Sequence, residues 1–166
     1  ASNGDCFIVG GTDDGVSTGT GFTIHGDVSV ARVSGAGDLV WERVYSDSSG
    51  PYDLLATQSA TDVAVDLDGN VVVTGYTAGT LSLGGAPLVA PANDFSHFLL
   101  KLSPDGAHLF SKHFGGGTFD NSGLATDAAS GDIILGASCI TNVNFGGGVL
   151  SSDGSQRDIC VARFSP

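Results

Sequence analysis

Apolar and polar residues alternate along much of the chain with the period-two rhythm of half-buried strands, broken at short intervals by clusters of Gly, Asp, Asn and Ser. The clearest stretch is ATDVAVDLDGNVVVTGYT, Ala60 to Thr77, where two apolar runs flank Asp-Leu-Asp-Gly-Asn. That is a strand, a tight turn and a second strand. The same shape returns as LATDAASGDIILGASC (Leu124 to Cys139), and its second strand opens the chain as DCFIVGGT (Asp5 to Thr12). A different pair follows each time. SVARVSGAGDLVWERVY (Ser29 to Tyr45) and FLLKLSPDGAHLFSKHF (Phe98 to Phe114) share one order: a basic residue, an apolar one, Ser, a Gly-containing turn, then an alternating strand with an aromatic. A third copy, ICVARFSP (Ile159 to Pro166), stops where that turn would begin.

Anchor residues set the period. Arg32 to Lys101 is 69 residues and Lys101 to Arg163 is 62; Asp5 to Asn70 is 65 and Asn70 to Asp132 is 62. A repeat of that length holding four short strands predicts an all-β fold of β-propeller-type blades, each a four-stranded antiparallel meander. Lettering the strands a to d from the axis outward, a strands are expected near Ala60–Asp66 and Gly123–Asp127. The b strands fall near Cys6–Gly10, Val71–Gly75 and Ile133–Ala137, and the c strands near Val28–Val33, Phe95–Leu102 and Asp158–Phe164. The d strands fall near Leu39–Tyr45 and His108–Phe114. These ten strands make about two and a half blades in a single region, 1–166, with fragments 5–45, 53–114 and 118–166 and incomplete at both ends.

Between b and c lies a Gly-rich excursion, TAGTLSLGGAPLVAPAND in the second copy and TNVNFGGGVLSSDGSQRD in the third. Leu81 and Leu83, then Leu88 and Val89, predict a small extra hairpin, as do Val143 and Phe145, then Val149 and Leu150. The run VAVDLDGNVVVTGYT, then LSLGG, then FLLKLSPDGAHLFSKHFGG resembles the bacterial β-propeller repeat often called SBBP, especially as found in large secreted proteins of myxobacteria and their relatives. The resemblance covers nearly the whole chain and is clearest in 60–117 and 124–164. It implies a propeller fold and export, and it implies no catalytic residues. The first copy departs from it: DDGVSTGTGFTIHGD lacks the aromatic-Gly-Gly cluster, which leaves its b–c hairpin unsupported.

Composition agrees with strands and turns. Gly is 26 of 166 residues, Met is absent, and hydrophobic residues make up 41%, too many for a disordered chain. The net charge is −12, and Glu42 is the only Glu among 18 acidic residues. No basic stripe offsets it, so nucleic acid is excluded as a partner. No apolar run is long enough to span a membrane as a helix. The N-terminus has neither the basic region nor the apolar core of a signal peptide, and the missing Met suggests a processed chain or an excised piece. An Asp-rich, Lys-poor surface points to an extracellular or cell-surface setting.

The candidate chemistry is sparse. His25, His97, His108 and His113 form no ligand spacing, no nucleophile elbow is present, and CxxC pairs are absent. The chain therefore reads as not an enzyme. Asp66, Asp68 and Asn70 place oxygen-bearing residues alternately before or after a Gly, like the first half of a calcium loop. No Glu follows at the distance such a loop needs, and an Asx-bonded hairpin turn is the competing reading. No other cofactor is expected. Of the three cysteines, Cys139 and Cys160 can form a disulfide with Cys6 free or intermolecular; three reduced, buried thiols are the alternative. Trp41, Tyr45, Phe110 and Phe114 recur at matched d-strand places and predict packing between blades.

A propeller closes with at least about four blades, so this length leaves open ends. The assembly edges are expected on Cys6, Phe7, Ile8 and Val9 at one end and Ile159, Cys160, Val161 and Phe164 at the other. Three functions follow. The first is a structural scaffold that self-associates through open blade edges as a ring or filament. The second is an adhesion module that binds glycan or protein through the b–c hairpins. The third is a fragment of a larger secreted enzyme.

Overall fold

The computed structural model describes residues 4–13, 16–18, 21–23, 26–46, 58–91, 95–117, 122–140, 142–151 and 157–165. The expected fragment starts at 53–57 and 118–121 lie outside these, as does His25. The described residues form sixteen strands and no helix, and every strand pairing is antiparallel.

Three strands make the first unit: β1 (Cys6–Asp13), β4 (Gly26–Val33) and β5 (Leu39–Tyr45), in the order β1-β4-β5. The second unit is a complete meander of β6 (Gln58–Val65), β7 (Val71–Thr77), β10 (Phe95–Leu102) and β11 (His108–Gly117), each strand paired with the next. The third has β12 (Gly123–Thr126), β13 (Ile133–Cys139) and β16 (Asp158–Phe164). Units two and three touch by one strand pair, Gly117 with Cys139. Among the described residues the sheets do not close into a ring: β1 and β16 each have a single strand neighbour.

Both c strands of the later units and the first d strand have the bounds their patterns predict. The b strands run further, to Asp13, Thr77 and Cys139 rather than stopping at Gly10, Gly75 and Ala137. Their c neighbours are long enough to keep supplying partners, so Asp13 pairs with Gly26 and Thr77 with Ser96. A glycine inside a strand with a partner on offer does not end it. Gly75 is required for a different reason. A Cβ there would stand 2.0 Å from the Ser59 carbonyl oxygen and 2.8 Å from the Phe98 ring, so only glycine lets β6 and Phe98 close on β7.

Small hairpins bridge b to c in all three units: β2 (Val16–Thr18) with β3 (Gly21–Thr23), β8 (Thr80–Leu81) with β9 (Leu88–Val89), and β14 (Val143–Asn144) with β15 (Val149–Leu150). The first corrects the expectation from sequence. An aromatic-Gly-Gly cluster is not needed, because the runs VST and GFT pair without one, Val16 opposite Thr23 and Thr18 opposite Gly21.

The units stack face to face through alternate side chains. Val28 and Val30 of β4 meet Val71, Val73, Phe98 and Leu100 in one core, to which Trp41 and Tyr45 add. Val72, Leu99 and Phe114, on the opposite face of the second sheet, meet Ile133, Leu135 and Cys160 in another. The second sheet is thus buried on both sides. Each fully buried aliphatic or aromatic side chain contributes about 1.5–3 kcal/mol, so these two cores are the main cohesive force. Hydrogen bonds lock the stack. Arg32 Nη1 and Trp41 Nε1 both donate to the Pro104 carbonyl, at 2.7 and 3.0 Å, and Arg43 Nε donates to the Gly106 carbonyl at 3.1 Å. At the inner strands Leu124 N donates to Asp62 Oδ2 at 2.7 Å, and Thr126 Oγ1 to the Val65 carbonyl at 2.8 Å.

Candidate functional site

An acid–base pair recurs in each unit, joining the a–b side of the sheet to the end of the c strand. Arg32 meets Asp5 at 2.6 Å, Lys101 meets Asp66 at 2.9 Å, and Arg163 contacts Asp132. The periodic basic residues of the sequence are therefore partners of acids, and the second unit takes its acid from the turn because Asn70 stands where Asp5 and Asp132 stand. That turn was the calcium candidate. Asp66 Oδ1 accepts from the backbone N–H groups of Asp68 and Asn70, at 2.9 and 2.8 Å. Asp66 Oδ2 accepts from Asn70 Nδ2 and from Lys101 Nζ, both at 2.9 Å. Two donors on each oxygen fill the carboxylate. Asp66 and Asn70 are brought together, Asn70 and the Lys101 ammonium both donating to the one carboxylate, while Asp68 stays exposed at the turn. A divalent cation would have to displace Lys101. Burial pushes the Asp66 carboxyl up, and the Lys101 ammonium with the Asn70 side-chain and backbone donors more than reverses it, holding it below the usual carboxylate range. Among the described residues no three His, Cys, Asp or Glu side chains gather to hold a metal.

The histidines are dispersed. His97 is fully buried on β10, with Nε2 3.1 Å from the Ser138 carbonyl of the third unit. Burial drives its imidazole below the ordinary value, more than the Ser138 and Gly75 carbonyls raise it. His108 Nε2 lies 3.1 Å from Ser111 Oγ at the start of β11, and His113 is exposed on the same strand.

Cys139 and Cys160 lie diagonally across β13 and β16, since Cys139 is opposite Asp158 and Cys160 opposite Ala137. Their Cα atoms are 6.2 Å apart and a disulfide joins them in the second core. Cys6 is free and exposed.

The two ends of the stack are the most distinctive surface. Alternation divides the residues expected at the assembly edges. At the first end Cys6 and Ile8 point outward, while Phe7 and Val9 turn into the core, Phe7 lying 5.9 Å from Trp41 between ring centres. At the other, Ile159 and Val161 point outward, 88% and 63% exposed, while Cys160 and Phe164 face inward. All eight residues lie on the two end strands, and the side chains of Phe7, Val9, Cys160 and Phe164 face a core while their main chain runs along the edge. Period two dictates this, because neighbouring strand residues point to opposite faces. Val40 and Val44 on β5 extend the first outward face and were not anticipated.

The outward faces match by register. Val161 and Ile159 occupy the places of Leu99 and His97, which cover the third sheet. Ile8 and Cys6 occupy the places of Val73 and Val71, which cover the first. Each end therefore presents the half of a contact whose other half the molecule shows internally.

No protein-family model and no curated protein matches the chain.

A cavity of about 310 Å3 opens along β16, lined by Phe145, Gly147, Leu150, Val161, Arg163 and Phe164. Sequence reading missed it. The available signal was the alignment of the b–c hairpins, in which Leu150 replaces Leu88: Leu88 is 6% exposed and Leu150 46%.

Proposed function

We propose that this chain is a section of a β-propeller-type repeat scaffold, without catalytic activity, that works by associating through its two open ends outside the cell. The observation that carries the reading is the pair of exposed apolar end faces, each in register with a face buried inside the stack. A soluble protein rarely leaves such surfaces uncovered. The repeated polarity of the units makes the contact head-to-tail, which closes into a ring or continues as a filament according to the rotation per copy. The Cys139–Cys160 bridge supports an oxidising, extracellular setting, and the −12 charge supports solubility there.

Solution mass tests it. At micromolar concentration the chain should sediment as species heavier than its 16.6 kDa, and Ile159→Asp with Val161→Asp should return it to monomer. A compact monomer at every concentration would overturn the reading.

A further inference from the structure

We propose that proton uptake by His97 releases the β13–β16 side of the third unit from the second sheet, a pH-sensitive seam inside the stack. The inference concerns the interior of the molecule and holds whether or not its ends associate.

His97 sits on β10, inside the second unit's meander, whose sheet is buried on both sides. Its register partners are Tyr76 on β7 and Phe114 on β11, and Phe114 belongs to the core shared with the third unit. Directly opposed residues share a face, so the imidazole is turned to the third unit as well. Across the seam Nε2 lies 3.1 Å from the Ser138 carbonyl oxygen. A carbonyl only accepts, so the neutral ring carries its proton on Nε2. Nδ1 is left bare: it is buried and has no hydrogen-bond partner. The second proton therefore goes to Nδ1, and the ring becomes a cation with no exposed surface.

A buried cation has to be paired or hydrated. No carboxylate is among the groups acting on this ring. Loss of water acts on it most strongly, against the Ser138 and Gly75 carbonyls. The titratable side chains on the strands around it are Tyr76 on β7, Lys112 on β11 and Asp158 on β16, opposite Cys139. Lys112 and Asp158 are both exposed, so solvent screens each of them. Cys139 itself is held in the disulfide.

Water reaches Nδ1 at least cost from the third unit's side. Freeing the ring within its own sheet would break the ladders of β10 with β7 and β11. Opening the seam breaks one strand pair, Gly117 with Cys139, and the Ser138 contact, and loosens the apolar packing around Phe114. The bonds of Asp62 to Leu124 and of Thr126 to Val65 lie at the inner strands and stay closed as the pivot. The seam between the first and second units has no such group, because Val28 occupies the equivalent place.

The test is amide exchange of the full chain at pH 7.5 and pH 5, corrected for intrinsic rates, together with NMR titration of the histidine rings. The opening constant rises up to about tenfold for each pH unit between the ordinary histidine value of about 6.5 and the lower folded one. Protection within 133–139 and 158–160 should therefore fall about fivefold or more by pH 5, while 28–33 and 71–75 keep theirs. His97→Gln, which keeps a donor for Ser138 but does not titrate, should abolish the fall. Asp158→Asn should leave it. The wild-type titration and exchange pattern decide the matter alone if a variant folds poorly. A His97 ring titrating at or above about 6.5 would overturn the proposal, as would a fall spread evenly over the three units. So would a fall that survives His97→Gln, or one abolished by Asp158→Asn.

Discussion

Replacing Lys101 by Met removes the ammonium that pairs with Asp66 while keeping most of the apolar stem. The Asp66 side chain is almost fully buried, so the carboxylate cannot recover its lost partner from bulk water. Removing one member of a buried pair costs about 3–5 kcal/mol when nothing else compensates. Here Asn70 Nδ2 and two backbone N–H groups still hold the carboxylate, which reduces the expected loss to about 2–3 kcal/mol at neutral pH. For a chain of this size that is a fall in Tm of about 6–9 °C. The pH dependence gives an independent check. Because the folded carboxyl is held below its unfolded value of about 3.9, its contribution is complete above that value and is lost as the pH falls through the folded one. The gap between wild type and Lys101→Met should therefore be full at pH 7 and shrink towards pH 3. Urea unfolding at both values measures it. Arg163→Met serves as the comparison, since that side chain is largely exposed and its pair should contribute less than about 1 kcal/mol. A loss for Lys101→Met below about 0.5 kcal/mol, or one independent of pH, would refute a buried network at this turn.

Reducing the Cys139–Cys160 bridge, which closes a separation of 21 residues, should cost about 3 kcal/mol, read as a lower Tm in dithiothreitol. Cys139→Ala with Cys160→Ala should melt at that lower value with or without reductant. His97 is held neutral, so the unfolded chain takes up a proton there that the folded one refuses. Stability present above about pH 6.5 should decline as the pH falls through that value. His97→Val, the residue found at the equivalent Val28, should flatten the slope of Tm between pH 7.5 and 5.

Alternation and turn chemistry made the strands readable. Leu39–Tyr45, Phe95–Leu102 and Asp158–Phe164 are visible in the order of apolar and polar residues because a strand's register is written locally. Turns are local too. In Ser103-Pro104-Asp105-Gly106, Gly106 N donates to the Ser103 carbonyl at 2.9 Å, and Gly106 takes a φ of 80°, which only glycine adopts cheaply. The recurrence of Arg32, Lys101 and Arg163 was plain in the letters, as was the pairing option for Cys139 and Cys160. The partners of the three bases were not. Asp66 and Lys101 are 35 residues apart, and only the meander brings them within 2.9 Å.

The sequence alone determined the all-β character, the repeat and the places of its ten meander strands, since each follows from spacing within a few residues. Tertiary structure decided which side chains of β1 and β16 face a core and which face outward. It also set the Lys101 ammonium against the Asp66 carboxylate and opened a cavity beside β16. These depend on which sheet stacks on which face. Spacing along a chain does not carry that information, because it is set by contacts between residues far apart in it.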